Sequence, residues 1–93
     1  MNTKVIFAPG VDDAILHHLD YMDVSEIPLA LNSINSAQQR LAKTLSTLPL
    51  GGAKFHGDTY FLAVKGYVFI YEYDPGDNSV NVLDLHMPGT NWR

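Results

Sequence analysis

The sequence predicts an α+β fold in which an antiparallel helical hairpin packs on one face of a small sheet. Three observations predict it: a short β-branched run opens the chain, apolar residues at helical spacing follow, and alternating aromatic and β-branched runs fill the second half. The resulting order, β-α-α-β-β-β, sets an N-terminal strand beside a three-stranded antiparallel meander. With 93 residues, of which 46% are apolar and 17% charged, the chain is expected to form one domain, 1–93, with a modest core.

Residues 3–7 read as a strand because Val5, Ile6 and Phe7 are β-branched or aromatic and Pro9-Gly10 ends the run. From Val11 the positions Ile15, Leu16, Leu19 and Met22 recur at three- and four-residue steps. Asp12 and Asp13 suit the positive end of that helix, whereas Asp20 and Asp23 oppose its negative end, so it should stop near Met22. Ser25 can cap a second helix over 26–48, with Pro28 tolerated in its first turn. Its stripe is Ile27, Leu31, Ile34, Leu41, Leu45 and Leu48, interrupted at Gln38. Pro49 and Gly51-Gly52 close the helical half. Strands are then expected at 59–64, 67–73 and 79–86, joined by a tight Lys65-Gly66 turn and by the turn-rich 74–78 segment. In 67–73, Tyr67, Phe69, Tyr71 and Tyr73 share one face while Val68, Ile70 and Glu72 share the other, which marks a central strand.

Six Lys and Arg against ten Asp and Glu give a net charge of −4, the wrong sign for a protein that grips a phosphate backbone, so direct DNA binding is disfavoured. The only basic segment is 27–52, with Arg40 and Lys43 and no acid. The absence of cysteine excludes a disulfide framework or a thiolate metal site and points to the cytoplasm. No 18-residue apolar stretch and no leader-like start are seen, so no membrane partner is expected. No cofactor is implied.

Metal-free RNA cleavage would need a base, an acid and a cation for the phosphate. His86, His56, Lys54, Lys65 and Arg93 are the available groups, with Tyr71 as a hydrogen bonder. His86 ends a strand, where a side chain can project from a rigid edge or bond locally. Lys54-Phe55-His56 reads more simply as a solvated loop, and Lys65 as hairpin decoration. His17 and His18 are adjacent on a helix and diverge by about 100°, which is poor geometry for a shared metal. The aromatic row of 67–73 reads either as core or as a recognition surface. Both faces of that strand are apolar and the helices cover one, so the other needs the chain's tail, a second copy or another protein.

The order of elements, together with KVIFAPGVDDAILHHLDYM, with ALNSINSAQQRLAKTLSTLPLGGAKF, and with YFLAVKGYVFIYEYD followed by VNVLDLHMPGTNW, resembles the ParE/RelE superfamily of bacterial type II toxins. Leu45, Pro49 and Gly52 match the family's helix exit, and Tyr67, Tyr71 and His86 its strand phrases. Two positions depart: Tyr60 stands where members often carry arginine, and Met87-Pro88-Gly89 replaces an arginine-bearing continuation. These departures place the chain nearer the ParE branch. The resemblance implies a toxin that inhibits a bacterial target, DNA gyrase, and is neutralised by a cognate, ParD-like or similar antitoxin. It also implies an alternative, a ribosome-dependent mRNA endoribonuclease using His86, Arg93 and Tyr71. A non-toxic, repurposed binding module is the third expectation. Residues expected to meet partners are Arg40, Lys43, Tyr60, Lys65, Tyr67, Phe69, Tyr73 and Trp92.

Overall fold

Strand β1 (Lys4–Phe7) runs straight into helix α1 (Pro9–Leu19). In this computed structural model, which describes residues 2–89, Pro9-Gly10 is therefore the first helical turn as well as the end of the strand. Proline suits that place because its fixed φ is helical and its missing N–H would have had no partner there. Gly10 is required by close approach: a Cβ would run into the Leu83 carbonyl oxygen, where α1 crosses the sheet. The helix ends at Leu19, three residues short of the expected Met22, and Asp20 caps it. A carboxylate at the negative end of a helix disfavours continuation.

One turn of 3-10 helix, Val24–Glu26, leads into α2 (Ile27–Thr47). Ser25 lies inside that turn and does not cap α2; Glu26 holds the capping position without a side-chain hydrogen bond. The buried stripe of α2 is Ile34, Ala37, Leu41 and Leu45. Ala37 fills the gap left at Gln38, whereas Leu31 and Leu48, both expected on the stripe, are exposed.

The sheet has five strands in the order β1-β5-β4-β3-β2, where β2 is Ala53–Lys54, β3 Thr59–Val64, β4 Tyr67–Asp74 and β5 Ser79–His86. The two-residue β2 was not expected; it pairs antiparallel with β3 at the sheet edge. β4 is central, β3-β4-β5 is the expected meander, and β1 joins parallel to β5. Lys65 (φ 56°) and Gly66 (φ 85°) form the left-handed two-residue turn that hairpin twist favours.

Register assigns the faces. Val68 pairs with His86, Ile70 with Asp84 and Phe61 with Ile70, which defines an outer face. The inner face is Tyr67, Phe69, Tyr71, Val80, Val82 and Leu85, and it shares one core with Val11 of α1 and the buried stripe of α2. A bulge opposite Ile70/Tyr71 inserts Leu83, so the inward positions of β5 step from Val82 to Leu85 and alternation resumes. Val68 and Ile70 are buried on the outer face within the chain itself. The expected need for a partner over that strand does not arise at these two residues. Among the described residues, no helix is long and apolar enough to cross a membrane.

Candidate functional site

The outer face and the exposed side of α2 carry the chemistry. On the outer face, β5 ends with Asp84 and His86, two residues apart and so on the same side of the strand. His86 Nε2 lies 3.5 Å from Asp84 Oδ2, and Asp84 Oδ1 accepts the Leu85 N–H at 2.8 Å. The backbone bond holds the carboxylate beside the imidazole. The arrangement brings a carboxylate and an imidazole, the residue types of general acid–base chemistry, together at the sheet surface. Asp84 was absent from the expected site, although period-two spacing from His86 is enough to place it there.

On α2, Arg40 and Lys43 are exposed, and the Lys65 Nζ, brought over from the β3-β4 turn, reaches the Ser36 Oγ at 3.2 Å. Positions 36, 40 and 43 follow helical spacing, so Lys65, Arg40 and Lys43 form one basic stripe. Its second anchor is Tyr67, whose hydroxyl donates to Ser33 Oγ at 3.0 Å.

The other expected residues are placed differently. Tyr71 lies on the inner face, buried in the core, and therefore on the opposite side of the sheet from His86. It cannot join His86 around one substrate. Tyr67 and Phe69 are also core residues under α2, not a recognition surface, because the helices cover this face of β4 rather than the other. Tyr73 is half-buried and its hydroxyl donates to Asn78 Oδ1 at 3.2 Å. Tyr60 stacks on Tyr71 at 5.6 Å between ring centroids, with Lys54 Nζ 5.6 Å from its own centroid. Phe55 packs edge-on to Phe61 at 6.1 Å and against His56 at 4.2 Å, so the Lys54-Phe55-His56 segment is partly tied to the outer face rather than simply solvated. His17 packs edge-on against Tyr21. Among the described residues, no group of three or more His, Asp or Glu could hold a metal ion. Trp92 and Arg93 lie outside the described residues.

Three solved structures resemble the chain over nearly its whole length. The RelBE2 toxin–antitoxin complex of Mycobacterium tuberculosis matches with a TM-score of 0.68 at 15% identity, covering 97% of this chain and 95% of that one. The chain has the RelE toxin fold. The isolated E. coli RelE toxin matches at 0.54 with 14% identity (97% and 88% covered). The intact E. coli RelBE complex matches at 0.53 with 14% identity (95% and 99% covered). No protein-family model and no curated protein matches the chain.

Within this RelE fold, Tyr71 is an internal post. Burial pushes its phenol above the ordinary 10.0, opposed in part by the Gly52 N–H that donates to its oxygen at 2.9 Å, while neighbouring Tyr60 adds to the rise. The folded chain thus keeps a proton that the unfolded chain loses first. The contribution is complete below pH 10.0 and is lost as pH rises through the folded value. Urea midpoints measured from about pH 9 to about pH 11 should fall, and Tyr71→Phe should flatten that decline.

Proposed function

We propose that the chain is the toxin of a type II toxin–antitoxin pair, acting in the cytoplasm by binding and inhibiting DNA gyrase and neutralised by a cognate antitoxin, ParD-like or similar. The likeness to RelE toxins over nearly the full length of both chains carries the toxin reading. The basic stripe of Lys65, Arg40 and Lys43 supports action by binding, because two cations on one rigid helix and a third brought to its side from the β3-β4 turn suit an acidic surface on a protein partner. A ribosome-dependent mRNA endoribonuclease is the second reading, and the His86–Asp84 pair favours it.

Tightly controlled induction of the chain, with growth and plasmid supercoiling read from the same culture, separates them. Arrest with altered supercoiling supports gyrase; arrest with normal supercoiling and cleaved mRNA supports the nuclease; unimpeded growth with folded protein supports a repurposed binding module. His86→Ala should leave gyrase-directed arrest intact, whereas a nuclease would lose about 100- to 10,000-fold in cleavage rate. The Arg40→Glu/Lys43→Glu pair should relieve arrest in a binding toxin. Both residues are exposed, so stability should change by less than about 0.5 kcal/mol each, which thermal unfolding checks.

A further inference from the structure

The turn between α1 and α2 carries an apolar surface that the fold leaves uncovered. Leu16, Tyr21, Val24 and Leu29 are 61%, 81%, 82% and 77% exposed. Leu29 lines a cleft of about 560 Å³ together with Met22, Ser25, Glu26, Pro28, Ala30 and Ser33. Scattered apolar residues are normal on a surface, but an exposed leucine that lines a cleft, with Met22 and Pro28 in the same lining, marks an interaction site.

Charge decides what fits. From residue 5 to residue 39 the chain has no Lys or Arg, and its acids there are Asp12, Asp13, Asp20, Asp23 and Glu26. Asp20, Asp23 and Glu26 are exposed in the same connection that supplies Tyr21, Met22, Val24 and Ser25. A second copy docking here by a two-fold contact would bring two anionic surfaces together. An anionic lipid surface or a nucleic acid would be repelled in the same way.

We propose that this end of the helical layer docks a cationic amphipathic segment of a protein partner. Its apolar side chains enter the cleft against Leu29 and Met22, with exposed Val24, the chain neighbour of the lining Ser25, beside them, and its Lys and Arg side chains meet Asp20, Asp23 and Glu26. The occupancy follows the helix-in-groove mode, in which side chains at three- and four-residue spacing serve as anchors. It does not depend on the toxin reading, and the cleft meets the basic stripe of α2 only at Ser33.

The probe is a fluorescently labelled amphipathic Leu/Lys helical peptide, titrated with the full chain by anisotropy. Two controls go with it: a Leu/Lys peptide of the same composition scrambled to remove its apolar face, and a Leu/Glu counterpart. The amphipathic Leu/Lys peptide should bind about tenfold or more tightly than either control. Val24→Ser/Leu29→Ser should weaken it about tenfold or more. Asp20→Asn/Asp23→Asn/Glu26→Gln should weaken it and remove most of its salt dependence. All five positions are exposed, and circular dichroism verifies that the variants stay folded. Equal binding of the scrambled or Leu/Glu peptide, or unchanged affinity in the variants, overturns the proposal. So does sedimentation showing a dimer that Val24→Ser/Leu29→Ser disperses, which would make the surface a contact between copies.

Discussion

Replacing Phe69 by alanine should cost about 3–5 kcal/mol and lower the thermal midpoint by about 15 °C or more. Phe69 is buried at the middle of the central strand and belongs to the core that joins the sheet to Ile34, Ala37, Leu41 and Leu45 of α2. Truncation removes a ring from a region with helix above and strands on both sides, so little can collapse into the space. Against a total stability of about 5–15 kcal/mol, such a loss leaves much of the chain unfolded at growth temperature. Phe69→Leu, which conserves most of the volume, should cost less than about 1.5 kcal/mol. Urea and thermal unfolding of the three proteins measure this directly. An alanine variant with an unchanged midpoint would return Phe69 to the recognition surface that its sequence pattern also allowed.

That ambiguity shows where sequence stops. Period-two spacing places Tyr67, Phe69, Tyr71 and Tyr73 on one face of β4, and the structure agrees. Which face the helices cover is not written in the strand, because Val68 and Ile70 make the other face apolar too. The packing of Val11 and the α2 stripe against Tyr67, Phe69 and Tyr71 settles it, and the bulge at Leu83 that re-aims β5 leaves no mark in an alternating run such as VNVLDLH. Strand ends were legible where turn residues punctuate them, as at Lys65-Gly66 and Asp74-Pro75-Gly76. β2 was not, since two residues, Ala53 and Lys54, carry no periodicity.

The site divides in the same way. His86 could be placed at a strand end and Asp84 beside it by spacing alone. The alignment of Lys65 with Arg40 and Lys43 could not, because the Lys65–Ser36 contact depends on how the β3-β4 turn meets α2. Tyr71 reads as a candidate site residue for a related reason: a tyrosine with a free hydroxyl and one with an internal hydrogen bond look alike in sequence. Its partner is the Gly52 backbone, 19 residues away.

Gly52→Ala tests that internal contact and should cost about 2–3 kcal/mol. At a site with room, Gly→Ala would instead stabilise by about 0.4–1 kcal/mol by reducing the freedom of the unfolded chain, so the sign of the effect is informative. Here a Cβ would fall 2.8 Å from the Tyr71 hydroxyl and 3.0 Å from its Cε1, and would run into the Phe61 carbonyl oxygen. The tyrosine ring is held in the core, and the carbonyl belongs to β3, which is paired on both sides at Phe61, so neither can yield cheaply. Tyr71→Phe keeps the ring and removes only the acceptor for the Gly52 N–H, at about 1–3 kcal/mol. Because both changes act on one contact, the double variant should lose less than the sum of the two, by about 0.5 kcal/mol or more. Removing the hydroxyl gives the new methyl part of the space it needs while leaving the clash with the Phe61 carbonyl in place. Strict additivity in urea unfolding would instead mean that the methyl is accommodated away from Tyr71, and that the loop before β2 is held by its backbone alone.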